Sequence, residues 1–147
     1  MKQIEKTYPK VSSPCNCMNI RRAAKAVTQF YDDTLKESGL TITQLGILSH
    51  IENAEMISIG ELAQRMRSDR TTLNRNIKPL VAAGLIDIVQ GKDLRVKQLS
   101  LTAVGQERVT KAFELWGEAQ TSLTEYLGTD DLERFTKLLS KIEALIP

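Results

Sequence analysis

The stretch SIGELAQRMRSDRTTLNRNIKPLVAAG (58–84) decides how this chain folds. Ser58 and Glu61 have the spacing of a capping box, in which each side chain satisfies the other's backbone amide at a helix start. Ile59, Leu62, Ala63 and Met66 then fall at i, i+3, i+4 and i+7, which predicts a short helix with one apolar face. RSD (67–69) reads as a turn, with Ser68 or Asp69 able to cap the next helix. In RTTLNRNIKPLVAAG (70–84), Leu73, Ile77, Leu80 and Val81 repeat at helical spacing. The same winding sets Thr71, Arg75 and Lys78 on the opposite side, flanked by Thr72 and Asn74. Gly84 closes this second helix. Pro79 lies inside it, where it deletes an amide bond at a cost of about 3 kcal/mol. Apolar spacing continues past it, so a bent but continuous helix is expected.

Two alternating runs follow, LIDIVQ (85–90) and RVKQLSL (95–101), joined by GKDL (91–94). They predict a two-stranded hairpin with a basic tip. Two short helices joined by a tight turn and followed by such a hairpin make a winged helix-turn-helix. An outward helix face of Thr, Asn, Arg and Lys carries the groups that hydrogen-bond base edges and phosphates.

The run DRTTLNRNIKPLVAAGLI, the D-x-R of Asp93 and Arg95, and the SLT of Ser100–Thr102 resemble the MarR family of transcriptional regulators. The resemblance covers nearly the whole chain and is best over 69–102. It implies a mainly α protein: a winged helix-turn-helix with an α/β wing, flanked by N- and C-terminal dimerisation helices. The expected division of a single MarR-like domain (1–147) is dimerisation helices at 1–38 and 103–147 and a DNA-binding region at 41–102. The implied partners are double-stranded DNA, a second copy of the chain and a small-molecule effector.

Net charge over the whole chain is +2, but its distribution is uneven. Residues 58–105 hold 8 Lys/Arg against 4 Asp/Glu, whereas 106–147 hold 5 against 8. The excess positive charge therefore falls on the DNA-binding module. Apolar content of 41% and charged content of 26% describe a soluble globular protein. The first fourteen residues have lysines but no apolar centre, unlike a secretory signal, and no run is long enough to span a membrane. A cytoplasmic location is expected.

Flanking the module, Ile20, Ala23, Ala24, Val27, Phe30, Tyr31 and Leu35 line a helix from about Cys17 to Ser38. Thr41 with Gln44, or Thr43, caps a second helix carrying Leu45, Ile47, Leu48 and Ile51. Thr102 caps a long helix to about Leu127, and Gly128 interrupts it. Asp130 and Glu133 predict another capping box before a last helix. That helix carries Leu132, Phe135, Leu138, Leu139, Ile142, Leu145 and Ile146. So wide an apolar face needs a partner, and a two-fold copy supplies the same surface.

Arg95 is the candidate to enter the minor groove from the wing, with Asp93 holding its guanidinium through paired hydrogen bonds. Arg75 is the candidate for a two-bond contact to guanine. Ser68, Arg70, Thr71, Thr72 and Asn74 are further DNA-binding candidates, and Lys78, Lys92 and Lys97 are assigned to phosphates. The lone histidine, His50, fits a packed, hydrogen-bonded residue better than a metal ligand, so no metal site and no cofactor are expected. Nothing resembles a nucleophile with its base, a phosphate-binding glycine loop or a metal motif, which argues against an enzyme.

Cys15 and Cys17 are poorly placed to bridge each other and too few for zinc. Two incidental thiols is one reading. The other is a sensor, since Cys17 begins a helix, where the dipole favours a thiolate, with Arg21 and Arg22 one turn on. The peroxide-sensing branch of the resembled family places a reactive cysteine here relative to Tyr31. It also uses tyrosines where this chain has Ile42 and Leu45, a departure from that pattern. For a small-molecule effector, Arg22 and Tyr31 are the candidate polar contacts, with Phe30, Phe113 and Trp116 as apolar lining.

Overall fold

The computed structural model describes residues 4–5, 8–91, 93 and 95–147. In chain order the elements are α1 (Asn16–Leu35), a 3-10 turn (Lys36–Ser38), α2 (Ile42–Ala54), β1 (Ile57–Ser58), α3 (Ile59–Arg65) and α4 (Arg70–Ala82). Strands β2 (Ile86–Gln90) and β3 (Lys97–Leu101), then α5 (Ala103–Leu127) and α6 (Thr129–Glu143), complete the chain. The architecture is mainly helical with a small antiparallel sheet, as the sequence predicts.

Local capping explains where most helices begin. Thr41 and Gln44 form a reciprocal box at α2, and Ser58 and Glu61 form one at α3. Asp69 accepts from the Thr72 amide at 2.8 Å to start α4. Thr102 accepts from the Gly105 amide at 3.0 Å to start α5. The box expected at Asp130 and Glu133 does not form. Helix α6 starts earlier, its N-cap is Gly128 at φ 83 and ψ 148, and no side chain caps it. That left-handed φ is one that only glycine adopts readily, so the chain turns at 128 and Asp130 falls inside the first turn. Asp130 and Asp131 there complement the positive end of the helix dipole, and Glu133 instead pairs with Lys137 at 3.3 Å.

Helix α4 runs unbroken through Pro79. Pro79 lies on the exposed side, while Leu73, Ile77 and Leu80 bury the other. Burial of those three side chains, each worth roughly 1.5–3 kcal/mol, outweighs one lost amide bond.

Among the described residues the sheet has three strands, in the order β1-β3-β2, not two. The unforeseen strand β1 is only two residues long, too short for alternation to reveal it. Ile57 pairs with Leu99 and Ser58 with Gln98. The core lies under this sheet, where α2 contributes Leu45, Ile47, Leu48 and Ile51 and meets Leu62, Leu73, Ile77, Leu80, Ile86 and Leu99.

Outside that core the apolar surface is open. Helix α6 has no buried residue, and Phe135, Leu138, Leu139 and Ile142 are 39–57% exposed. On α1, Met18, Ile20 and Val27 are exposed as well. The end of α6 touches the central module through an exposed ion pair, Glu143 with Arg67 at 2.8 Å. Such a pair is worth at most about 1 kcal/mol.

Candidate nucleic-acid interface

Helix α4 turns Arg70, Thr71, Thr72, Asn74, Arg75 and Lys78 to the outside, all exposed, with Ser68 half-buried in the preceding turn. These side chains are not equally available. The Thr72 hydroxyl donates to the second oxygen of Asp69 at 2.8 Å, so the cap engages both partners. The Thr72 amide first, and then its hydroxyl, hold the Asp69 carboxyl below the usual aspartate range. Asn76, which the sequence reading passed over, donates to the Thr72 carbonyl at 3.1 Å. Arg75 and Lys78 project from the next turns on the same exposed face.

Arg70 lies back across the start of α3, its guanidinium over Gly60. Together with Asn74 it lines a cleft of about 360 Å³ that Arg95, Val96 and Lys97 line as well. Ser58, Ile59 and Gly60 complete the lining. The first turn of α4 and the base of the wing tip thus share one depression. The part played by Ser58–Gly60 was missed in the sequence. A glycine inside an otherwise good short helix was the available signal, since it costs about 1 kcal/mol there without a packing reason.

At the wing, Asp93 does not grip Arg95 through paired hydrogen bonds. One oxygen accepts from the Arg95 backbone amide at 3.0 Å, and the guanidinium Nε stands 3.7 Å from that same oxygen. The carboxylate shapes the turn instead, and the Arg95 side chain remains 93% exposed. Lys97 is exposed on β3, and Lys92 lies outside the described residues.

The candidate effector and redox residues are spread along α1. Cys17 and Arg22 are exposed. Tyr31 is half-buried against the core, and its hydroxyl donates to the side-chain oxygen of Gln120 on α5. Burial pushes the Tyr31 phenol pKa up. Tyr31 lies nine positions along the helix from Arg22, a step that sets them on opposite sides and about 13.5 Å apart along the axis. One protomer does not bring them together. Phe30 meets Tyr31 edge to face at 5.7 Å, and Phe113 meets Trp116 likewise at 5.8 Å. His50 sits 2.7 Å from the Gly46 carbonyl through Nδ1, a packed residue. Among the described residues no cluster of three His, Cys, Asp or Glu side chains could hold a metal.

A family model for the MarR family matches residues 38–95. The transcriptional regulator MosR of M. tuberculosis, solved in complex with DNA, is 36% identical, with 90% of this chain and 99% of that one covered and a TM-score of 0.76. This chain belongs to the MarR family. The HTH-type transcriptional regulator SarZ of Staphylococcus epidermidis is 29% identical over 136 residues, covering 85% of this chain and 92% of SarZ. A MarR mutant from E. coli, complexed with operator DNA, has the same fold at 24% identity and a TM-score of 0.77, covering 87% of this chain and 91% of its own. This MarR-family chain is a transcriptional regulator and not an enzyme. No helix among the described residues is long and apolar enough to cross a membrane.

Proposed function

We propose that this chain is a cytoplasmic, homodimeric repressor that binds a palindromic operator through α4 and the wing and is released by a small-molecule effector. The observation that carries this reading is the cleft that Arg70 and Asn74 of α4 share with Arg95 and Lys97 of the wing. A duplex laid across it would meet α4 in the major groove and Arg95 at the adjoining minor groove. The DNA complex of MosR, 36% identical, supports the same use of this fold here. Ser68, Thr71, Arg75 and Lys78 extend the contact along α4, and Lys92 belongs to the same basic wing in sequence. Thr72 serves the Asp69 cap, so while that bond holds, its hydroxyl can accept from a base amino group but not donate to DNA.

The exposed apolar faces of α6 and α1 support the homodimer. The division into dimerisation helices (1–38 and 103–147) around a DNA-binding region (41–102) follows from it. Two-fold pairing sets the recognition helices on successive major grooves, with half-site centres roughly 10–10.5 base pairs apart, about 34–36 Å. For the effector, Tyr31 is the better polar contact, since Arg22 faces the other side of α1. Selection of bound sequences from a random DNA pool tests the proposal. An inverted repeat at that spacing is expected. Uniform recovery of all sequences would favour an architectural protein with little sequence preference, and the absence of a salt-sensitive DNA gel shift would point to a protein-binding module instead.

A second reading, a regulator sensing oxidants through Cys17, is favoured by one observation. Ser13 and Asn19 exchange two hydrogen bonds, amide to Oδ1 at 2.8 Å and Nδ2 to carbonyl at 2.9 Å. This clamp holds the segment that presents Cys15 and Cys17, both exposed free thiols, at the start of α1.

A further inference from the structure

Helix α4 ends and helix α5 begins at one bonded joint at the base of the wing. The Thr102 hydroxyl donates to the Gly84 carbonyl at 2.6 Å while accepting from the Gly105 amide at 3.0 Å. The Thr102 amide donates to the Leu85 carbonyl at 3.2 Å. Gly84 itself, at φ 75, donates to Val81 at 3.0 Å, and Leu85 donates back to Leu80 at 3.0 Å. One hydroxyl therefore ties Gly84, the glycine that closes the recognition helix, to the first turn of α5.

Steric closure reinforces the tie. Gly105 is buried, and a Cβ there would overlap the Leu85 carbonyl oxygen and crowd its carbon at 3.1 Å. That obstacle is backbone, so it cannot swing aside as a side chain would. The last register pair of the wing, Ile86 with Leu101, brackets the joint from the other side.

We propose that Thr102 and Gly105 are positioning residues for operator recognition: their joint makes α4 and α5 one rigid body and so sets the separation of the two recognition helices. The proposal rests on the DNA-binding homodimer inferred above. Helix α4 has 13 residues, so it reaches about 20 Å from the joint. A tilt of about 10° about the joint displaces its far end by about 3.4 Å, the rise of one base pair. Slack at this joint would therefore blur half-site spacing by about one base pair. Neither residue needs to touch DNA for this.

The test compares binding to the selected inverted repeat, to the same repeat with one base pair inserted at its centre, and to a single half-site. Wild type should prefer the uninserted repeat by about tenfold, the order of one mismatched base pair. Thr102→Val, which keeps the shape and removes the hydroxyl, should shrink that preference to about threefold or less. Its half-site affinity should stay within about threefold of wild type. Thr102→Ser should restore the wild-type ratio. Gly105→Ala gives a second route, and the ratio should fall there too. A folded Thr102→Val or Gly105→Ala protein that keeps the wild-type preference overturns the proposal. So does one that loses full-site and half-site affinity in equal proportion, because a merely structural role does that. Wild type that ignores spacing altogether overturns the dimer reading and this proposal with it.

Discussion

A guanidinium nitrogen of Arg70 stands 2.5 Å from the point a Cβ at Gly60 would occupy. The obstacle is the far end of a flexible side chain, so Gly60→Ala should evict Arg70 rather than distort α3. Alanine is also the better helix former by about 1 kcal/mol. The variant should melt at or above the wild-type temperature, while its DNA binding weakens and its salt slope falls by about one contact. Stability and affinity moving in opposite directions is the signature. If affinity is unchanged, Arg70 does not contact DNA.

Arg75 and Lys97 should differ in kind. Arg75→Ala is expected to cost about 1–3 kcal/mol on the preferred site and to relax selection at one base position per half-site. Lys97→Ala should weaken all sequences alike and lower the salt slope by about one. Titrations of specific and random duplexes at several salt concentrations separate them. Equal losses on both duplexes for Arg75→Ala would reassign that residue to a phosphate.

Much of the fold was legible because helix starts are local events. Thr41, Ser58, Asp69 and Thr102 each bond three residues ahead, and that spacing can be read directly from the chain. The box predicted at Asp130 failed because a left-handed glycine two residues earlier had already begun the helix. What stayed hidden was long-range. Strand β1 exists only because Ile57 meets Leu99, and no local pattern announces a pairing of that separation. The candidate site divides the same way. The exposed side of α4 follows from helical periodicity, whereas the approach of Arg70 to Gly60 and of α4 to the wing depends on tertiary packing. Asp93 and Arg95 lie two residues apart, yet their geometry depended on a turn whose backbone amide claimed the carboxylate.

Asp69 should give the protein an acid-sensitive limb. Its folded-state pKa lies below the ordinary value, because the Thr72 amide and hydroxyl favour the carboxylate. The stability it contributes is therefore fully present above about pH 3.9 and is lost as pH falls through the lower folded value. Asn caps helices about as well as Asp, so Asp69→Asn should match wild type at neutral pH. Below the ordinary aspartate range wild type should lose stability relative to that variant. Melting curves that stay parallel down to about pH 2 would show that the cap is not linked to protonation.

The open face of α6 predicts where association fails. Leu138 is 57% exposed and central to that face. In a symmetric interface each substitution counts twice, so Leu138→Ala should weaken the dimer by about 1–2 kcal/mol per copy. Leu138→Asp should leave a folded monomer in sedimentation velocity runs at micromolar concentration. Such a monomer should retain the helical signal of wild type, since α6 carries no buried residue in the single chain. An unaltered dimer would place the interface elsewhere.

The thiols choose between two kinds of signal. Cys15 is the N-cap of α1 and Cys17 lies in its first turn, and both are exposed. If Cys17 is a sensor, mild peroxide should oxidise its thiol to a sulfenic acid, with release of water, faster than that of Cys15, and an added low-molecular-weight thiol should then condense with it to a mixed disulfide. The first turn of α1 adjoins the apolar side chains of Met18 and Ile20, which the homodimer would cover. A polar oxidised sulfur there should disturb the paired helices and change the spacing of the recognition helices. Operator affinity should then fall on oxidation, return with a reductant, and become insensitive in Cys17→Ser. Asn19→Ala should slow or blunt the response without touching a thiol, because it opens the clamp to Ser13. Against this stand Ile42 and Leu45, apolar residues where the peroxide-sensing branch uses tyrosines; Leu45 is 3% exposed and buried in the core. Equal operator affinity for oxidised and reduced protein would end the redox reading, and ligand screening around Tyr31 would be the next experiment.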